Sequence, residues 1–532
     1  MKSFLRPTLS LAGLGGTAGP SQWSRRAGAL SLRLMLVFAS ACTTASAWHD
    51  EDGQSLAFEE ERGIERHDSL HDWESGLNFC SAPVVENCST PANENCDDQI
   101  ACTGTPLEIR RFGAAGMQMP RDAVMDADGN AIIVGTFSGA LDFGDGLLES
   151  HETDDIFIVK LDRDGAPVWS RSFGDDKSQF VHRVAVDADQ NIVMTGHFRG
   201  TVDFGGGPLI SAGAKDVFLV KLDASGNHVW SKSFGDDQDQ VARGVAADQD
   251  GNVFIAGTLW GSADFGNRSV TSAGWDDIFV VKLDKNGDAI WTKTFGDQET
   301  QEAWDIATDR EGNVIMTGFA LGNFDFGDGP TAGAGMPDAV LVKLDGNGIT
   351  RWSRRFGDGG MQFGQSVAVD SKGNIVMTGQ VHGSIDFGDG PVKSAGKHDI
   401  YIAKFSPDGD TLWHRELGDA AEQTSVVVTI DGADAVLVTG SFEGRMEVGS
   451  SVLTSAGGND AFVIKLDPDG GPIWSRRMGD ADFQEGSAIM SDSMGNVLVT
   501  GRVMGGISLG RNLAIDAGAD MLFDVFLAAF KP

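Results

Sequence analysis

Apolar and polar residues alternate in short segments along most of this chain. In one stretch, VARGVAAD, VFIAGTL, DIFVVKLD and AIWTKTFG follow one another, separated by DQDGN, a long Gly-rich loop and DKNG. Segments rich in Val, Ile, Phe and Thr, with no helical period between them, are typical of β-strands. Turns such as DQDGN place Gly where a hairpin needs a positive φ angle. The pattern therefore predicts units of four antiparallel strands.

These units recur seven times with a constant step of 61 residues. The glycine that closes the fourth segment marks every copy: Gly113, Gly174, Gly235, Gly296, Gly357, Gly418 and Gly479. Six of the seven fourth segments also carry a tryptophan at one place: Trp169, Trp230, Trp291, Trp352, Trp413 and Trp474. A unit of this size cannot bury its apolar face alone, so the repeat predicts a stacked array.

The two ends of the array complement each other. The last unit ends on its third strand, DVFLAAF, whereas an unmatched fourth strand, PLEIRRFG, stands at 106–113 and has Glu108 in place of the tryptophan. Pairing the two strands would complete the last unit and cover two exposed sheet edges. We therefore predict an all-β fold, a seven-bladed β-propeller of four-stranded antiparallel blades over 106–532, closed by pairing the N-terminal strand with the last blade.

The segments DVFLVKLD, GNHVWSKSFG and DADQNIVMTGHF resemble the bacterial SBBP (seven-bladed β-propeller) repeat. The resemblance covers 106–532. It implies the propeller fold and an extracytoplasmic setting, since such repeats are found in exported and cell-envelope proteins of myxobacteria and their relatives. It implies no reaction, because the family has no general activity to carry over to residues of this chain.

The segment 1–47 has the pattern of an export signal. Arg25 and Arg26 precede the apolar run ALSLRLMLVFASA, which is too short to span a bilayer and ends in small residues. The small residues predict cleavage after Ala47. The overlapping ASAC also resembles a bacterial lipobox, in which Cys42 would carry a lipid anchor, and both alternatives stay open.

The segment 48–105 is predicted to be an acidic, cysteine-containing linker or stalk. Its four cysteines lie within 23 residues: Cys80, Cys88, Cys96 and Cys102. An even number of cysteines behind an export signal indicates two disulfides, although the spacing does not fix their pairing. The spacing includes no CxxC, so it gives less support to a zinc site.

Charge narrows the range of partners. The 532-residue chain carries 41 Lys and Arg against 77 Asp and Glu, a formal net charge of −36. Such a surface repels nucleic acid and anionic lipid at long range, which argues against nucleic-acid binding. We expect contact with a membrane only through a lipid anchor at Cys42, and we expect the propeller to be a monomer.

Two positions in the second strand vary in a frame that otherwise stays constant. The first holds Thr136, His197, Thr258, Phe319, Gln380, Ser441 and Arg502. The second holds Ser138, Arg199, Trp260, Leu321, His382, Glu443 and Met504. Alternation along a strand sends both sets to the same side. Either a recognition surface or an unconstrained edge would vary in this way, and Arg199, Trp260 and His382 are the predicted ligand contacts.

Candidate catalytic and metal motifs are few. The turns DADGN and DQDGN could be calcium loops, but DSKGN and DSMGN occupy the same turn without alternating carboxylates, which favours plain Asx-turns. The sequence has no HExxH and no Gly-x-Ser-x-Gly. We therefore predict no catalytic residue, cofactor or metal site, with calcium as the weaker alternative.

The sequence thus predicts an exported, non-catalytic propeller that binds an unknown protein or glycan, or serves as a scaffold, at the cell envelope or outside the cell. One alternative is a hydrolase or lyase that acts on polysaccharide with one face of the channel, as other propellers do. The other is a calcium-dependent adhesion module.

Overall fold

The computed structural model describes residues 104–510, 513–516 and 522–532. The predicted signal at 1–47, Cys42 and the four disulfide candidates Cys80, Cys88, Cys96 and Cys102 lie outside the described residues. The described residues form strands and turns and contain no α-helix. Accordingly, no helix in these ranges is long and apolar enough to cross a bilayer.

Seven antiparallel sheets form a ring, which confirms the predicted seven-bladed β-propeller. We number the blades 1 to 7 along the chain and call their strands A to D from the channel outwards. The A strands are Ala115–Met125, Gln179–Val186, Gln240–Ala247, Gln301–Thr308, Met361–Val369, Gln423–Ile430 and Gln484–Ser491. The B strands are Ala131–Asp142, Ile192–Phe198, Val253–Leu259, Val314–Ala320, Ile375–His382, Val436–Phe442 and Val497–Val503.

The outer half of each blade repeats with equal regularity. The C strands are Asp155–Leu161, Asp216–Leu222, Asp277–Leu283, Asp338–Leu344, Asp399–Phe405, Asp460–Leu466 and Asp524–Phe530. The D strands of blades 1 to 6 are Pro167–Phe173, His228–Phe234, Ala289–Phe295, Thr350–Phe356, Thr411–Leu417 and Pro472–Met478. The D strand of blade 7 is Pro106–Phe112, which pairs antiparallel with Asp524–Phe530. The predicted closure by the N-terminal strand is therefore confirmed.

The long loop between strands B and C carries a small ribbon. In blade 1, Leu147–Glu149 pairs with the extended end of strand B. In the other blades the ribbons pair Thr201–Val202 with Leu209–Ile210, Ser262–Asp264 with Ser269–Thr271, Phe324–Asp325 with Pro330–Thr331, Ser384–Asp386 with Pro391–Lys393, Arg445–Val448 with Ser451–Thr454, and Ile507–Gly510 with Leu513–Ile515.

The apolar core lies between blades. Each of the seven hydrophobic clusters contains side chains from two neighbouring blades. The cluster between blades 2 and 3, for example, packs Val217 and Leu219 against Ile255 and Phe279. The strands are apolar on both faces because every blade except its outer edge is covered on both sides, which explains the nearly continuous apolar C strands.

The repeated tryptophan connects one blade to the next. Trp352 of blade 4 donates its Nε1 hydrogen to the carbonyl oxygen of Pro407, in the C–D turn of blade 5, at 3.0 Å. The ring lies on Gly409 of that turn, where φ is +83° and an added Cβ would stand 3.0 Å from the indole. The turn thus needs glycine both for its backbone conformation and for its close approach to the ring.

A buried lysine reinforces the same junction. Lys343 of blade 4 forms an ion pair with Asp309 of its own blade at 3.0 Å and donates to the same Pro407 carbonyl at 3.3 Å. Blades 1 to 6 repeat this pair at distances of 2.5 to 3.5 Å: Lys160–Asp126, Lys221–Asp187, Lys282–Asp248, Lys343–Asp309, Lys404–Asp370 and Lys465–Asp431. We call the junction between blade 7 and blade 1 the seam, where Glu108 and Ala529 replace the tryptophan and the lysine.

Candidate functional site

The loops that vary between blades gather at one end of the ring. The end of strand B pairs with the start of strand A, as Phe198 does with Gln179, so the B–C loops and the D–A connections lie together. We call this end the mouth face, defined in blade 2 by residues 174–178 and 199–215. The A–B and C–D turns, which are nearly constant, lie at the opposite end.

A buried glutamine holds the backbone of the mouth face in every blade. These residues are at most 1% exposed: Gln118, Gln179, Gln240, Gln301, Gln362, Gln423 and Gln484. In blade 3, Gln240 Nε2 donates to Asp236 Oδ1 at 2.8 Å and to the carbonyl oxygen of Trp260 at 2.6 Å. The N–H of Trp260 donates to the carbonyl oxygen of Asp239 at 3.0 Å. In blades 2 to 7 the glutamine therefore fixes the backbone of the variable position and leaves its side chain free, whereas Gln118 of blade 1 donates to the carbonyls of Ala115 and Ala140.

The three predicted contact residues occupy this variable position in blades 2, 3 and 5. Arg199, Trp260 and His382 are all exposed on the mouth face. Their backbone carbonyls accept hydrogen bonds from Gln179, Gln240 and Gln362 at 3.1, 2.6 and 3.2 Å. Within the described residues, no hydrogen bond, ion pair or ring contact joins the three side chains to one another. They therefore belong to one face but do not form one cluster.

Each of two predicted residues has an aromatic neighbour that the sequence reasoning missed. The indole of Trp260 lies 5.9 Å from that of Trp275, centroid to centroid, and the two residues are 38% and 61% exposed. The imidazole ring of His382 lies 5.5 Å from that of His398, centroid to centroid. Both neighbours lie at the end of the B–C loop, just before strand C, at positions where the residue differs from one repeat to the next. Comparing the repeats over this loop as well as over strand B would have found them.

Polar groups surround the indole pair. Lys215 and Asp239 form an ion pair at 3.0 Å, and Asp239 also holds the backbone of Trp260. Asp276, which follows Trp275, has its pKa raised by burial and by the nearby carboxylate of Glu302. An exposed aromatic surface beside groups that donate and accept hydrogen bonds is suited to an amphipathic ligand.

The first variable set does not reach the mouth surface. Thr136, His197, Thr258, Phe319 and Ser441 are all below 9% exposed. These side chains instead form a second layer behind the channel wall, as when His197 stacks on His182 at 5.1 Å. Alternation alone correctly places both sets on one side of the strand, but it does not separate the exposed layer from the buried one.

The channel wall has its own variable set, which the sequence reasoning missed. Every A strand has a β-bulge at the same place, shown by a shift in its pairing with strand B. The bulged positions hold Arg121, His182, Arg243, Trp304, Gln365, Val426 and Ser487. All seven line one cavity of about 210 Å³. Because every blade contributes one side chain, this cavity lies on the axis of the ring.

Several charges around this axial cavity are paired. Arg183 contacts Asp305 at 3.2 Å, and Arg502 contacts Glu485 at 2.6 Å. Burial raises the pKa of Asp122 to about 6, although Arg183 opposes that shift. The cavity thus has a network of charges in a chain whose surface is strongly acidic.

Two histidines and three aromatic rings lie in the wall or directly behind it. His182 and His197 lie 3.0 Å apart between ring nitrogens, and burial lowers the pKa of both, that of His197 to about 3, so both rings are neutral at physiological pH. On another part of the wall, Trp304 stacks on Phe363 with centroids 5.4 Å apart and planes at 8°. Phe319 meets both rings edge-on.

The turn carboxylates are occupied by hydrogen bonds. Asp248 Oδ1 accepts the N–H groups of Asp250 and Asn252 at 3.0 and 2.9 Å, and Oδ2 contacts Lys282 Nζ at 3.5 Å. These bonds give DQDGN the geometry of an Asx-turn. Across the described ranges, no group of three or more His, Cys, Asp or Glu side chains is arranged to hold a metal ion.

Comparisons with known proteins agree with the fold. No protein-family model matches the chain. An uncharacterized WD repeat-containing protein of Acanthamoeba polyphaga mimivirus is 23% identical over 431 residues, which is 65% of this chain and 31% of that protein. The regulatory protein FlaEY of Caulobacter vibrioides is 24% identical over 299 residues, 51% of this chain and 30% of that protein. The matched region is thus about a third of the length of these curated relatives.

Among solved structures, the Pan2 WD40 domain of Neurospora crassa aligns with a TM-score of 0.42 and 11% identity, covering 81% of this chain and 96% of that domain. The described chain is a seven-bladed β-propeller with WD-repeat-like relatives.

Proposed function

We propose that this chain is an exported, non-catalytic binding module whose mouth face recognises a carbohydrate. The observation that carries the proposal is the exposed indole pair, Trp260 and Trp275, on a backbone that the buried Gln240 holds, as the equivalent glutamines do in blades 2 to 7. Large aromatic side chains that remain exposed on a rigid frame are typical anchors of a binding site.

The surroundings of the indole pair favour a glycan over a protein. A stable protein interface buries roughly 800 Å² on each partner around an apolar centre. Here the exposed apolar surface is two rings, bordered by the charged groups of Lys215, Asp239 and Asp276. A sugar ring has one apolar face to stack on an indole and a rim of hydroxyls to meet such groups.

The proposal also includes export of the chain from the cytoplasm. The sequence pattern of 1–47 supports export, with the chain either released by cleavage after Ala47 or held by lipid at Cys42. In either case, the segment 48–105 would connect the propeller to the place where it is anchored or released.

A glycan array probed with the full-length chain tests the proposal, followed by titration of the best ligand. Trp260→Ala and Trp275→Ala should each weaken binding at least tenfold, because each removes a stacking surface. Met494→Ala is the matched control, since Met494 is 64% exposed in an A–B turn at the opposite end of the ring, and it should leave the affinity unchanged.

The other outcomes separate the alternatives. Binding to a protein array with no glycan bound would contradict the carbohydrate proposal. Release of shortened glycan from the mixture would show the hydrolase or lyase. Loss of glycan binding on addition of a chelator would favour the calcium-dependent adhesion module, whereas we expect no effect of the chelator.

A further inference from the structure

The axial cavity contains one guanidinium that no hydrogen bond or ion pair within the described residues engages. Arg121 makes no hydrogen bond or ion pair there, and its Nε is buried without an acceptor. Burial lowers the pKa of Arg121, as does the charge of Arg502, and the more distant carboxylates of Glu485 and Asp154 offset this only in part. An arginine stays charged even when its pKa falls, so a buried guanidinium without an acceptor destabilises the fold unless an anion meets it.

The nearby carboxylates are engaged elsewhere. Asp305 accepts from Arg183 at 3.2 Å and from the hydroxyl of Ser366 at 2.9 Å. Glu485 is held by Arg502 at 2.6 Å. Within the described residues, neither of these acids forms a hydrogen bond or ion pair with Arg121.

Arg243 adds a second donor to the same cavity. It contacts Glu302 only at 3.5 Å, and its Nε is also buried without an acceptor. Glu302 in turn accepts the Nε1 hydrogen of Trp304 at 2.8 Å. Two guanidinium groups with unused donors thus line one open cavity, together with the neutral His182.

One part of the wall is flat and apolar. Trp304 lines the cavity and is held rigid by stacking on Phe363 and by the edge of Phe319. Val426 and Val427 extend this apolar surface. A cavity of about 150 Å³ is enough to hold a benzene ring. The 210 Å³ found here therefore has room for a ring and one carboxylate.

We propose that the axial cavity binds a small organic anion that carries one carboxylate on a planar apolar group. The carboxylate meets Arg121 and Arg243, where charge-assisted hydrogen bonds are strongest. The planar group lies against Trp304. This site is separate from the carbohydrate-binding mouth face, and either proposal can fail without the other.

Calorimetric titration of the full-length chain with benzoate, in a buffer free of other carboxylates and of phosphate, tests the inference. Benzamide is the neutral isostere and acetate lacks the planar group. Benzoate should bind and raise the melting temperature, acetate should bind more weakly, and benzamide should not bind. Benzamide binding as tightly as benzoate would overturn the role of charge, and acetate equal to benzoate would overturn the planar group.

Variants locate the site. Arg121→Gln should weaken benzoate binding at least tenfold, whereas Arg199→Gln, which removes an exposed arginine from the mouth face, should leave it unchanged. Equal affinity of Arg121→Gln and the unmodified chain would overturn the proposal. Trp260→Ala should retain benzoate binding, and Arg121→Gln should retain glycan binding.

Stability without a ligand gives a second readout. Because Arg121→Gln removes a partly buried charge whose Nε has no acceptor, the variant should melt at the same temperature as the unmodified chain or higher when no anion is present. A lower melting temperature or a failure to fold would show that Arg121 has a structural role, and would overturn its assignment to a ligand.

Discussion

The seam and the other six blade junctions solve one packing problem with different residues. At an ordinary junction, such as that between blades 4 and 5, Trp352 and Lys343 both donate to the carbonyl oxygen of Pro407. At the seam, Glu108 takes the position of the tryptophan and Ala529 that of the lysine, and neither side chain can donate to the neighbouring turn. Among the described residues, the seam also has the smallest of the seven apolar clusters.

Other contacts hold the seam. Arg111 forms a buried ion pair with Asp524, within blade 7 but between the two ends of the chain. Arg110 donates to the carbonyl oxygens of Gly165 and Asp164 in blade 1, at 2.8 and 2.5 Å. The ring thus closes through strand pairing and arginine contacts, whereas the five junctions from blades 1–2 to blades 5–6 use hydrogen bonds from an indole and a lysine.

Removing the closing strand should have the largest effect. Deletion of 106–113 takes away strand D of blade 7, leaves Asp524 buried without Arg111, and exposes the edge of strand C. An exposed edge of this kind pairs with other chains. The deletion variant should unfold or oligomerise, as measured by thermal melting and by light scattering after size-exclusion chromatography.

A permuted chain is the control for that deletion. It begins at 114 and carries 106–113 after residue 532, joined by a turn like those of the other blades. It should fold as a monomer, because all four strands of blade 7 are restored. A monomeric deletion variant with unchanged melting would disprove the closing role of this strand.

Exchanging the residues that an ordinary junction and the seam have at the lysine position should change the stability of the fold less than the deletion does. Lys343→Ala gives an ordinary blade the residue of the seam and leaves Asp309 buried without its cation, which should cost about 3–5 kcal/mol. Ala529→Lys gives the seam the residue of an ordinary blade. It should add only about 0.5–1 kcal/mol, because Asp492, its intended partner, is partly exposed.

Urea unfolding measures both changes. Lys285→Ala is the control, since this side chain is exposed in a C–D turn, and it should change stability little. If Lys343→Ala cost no more than the control, the buried lysine would not be what distinguishes the ordinary junctions from the seam.

A pH-dependent effect, also small, is expected for the acidic residue of blade 5 that occupies the position equivalent to Arg111 at the seam. In blade 5 that place is Glu416, beside Asp399, and burial together with Asp399 raises the pKa of Glu416 from 4.5 to about 7. Folding therefore favours the protonated form. The corresponding stability is present below about pH 4.5 and is lost as the pH rises through about 7.

Glu416→Gln should flatten this dependence. At pH 8 the variant should be more stable than the unmodified chain by about 1 kcal/mol, after allowance for partial exposure of the side chain. At pH 4.5 the two should be equal. Urea unfolding at both pH values measures the difference, and an equal gain at both would show that titration of Glu416 is not its cause.

The fold could be predicted almost completely because its signals repeat. Trp230, Gly235 and their equivalents fix the period, and PLEIRRFG supplies the one strand that the last blade lacks. Each copy confirms the register of the others, so local ambiguity about any single strand does not matter. The place of each blade in the ring then follows from the order of the repeats along the chain.

The site could be predicted only in part. Trp260 was found because the residues of strand B alternate regularly up to its end. Trp275 lies in a loop, where no strand alternation indicates which way a side chain faces. Arg121 and Trp304 were missed because each sits on a β-bulge, which adds a residue to one strand and shifts the alternation on which the reasoning relied. Burial of the first variable set likewise depends on the curvature of the ring.

The constant step of 61 residues has a genetic consequence. Recombination between two copies of the repeat would remove or add one whole blade and keep the reading frame of every strand. The closing strand would be untouched, since it lies outside the repeats that recombine. Descendants of such a gene could therefore differ in blade number, and so in the width of the channel and the number of side chains around it, while their two ends still fit together.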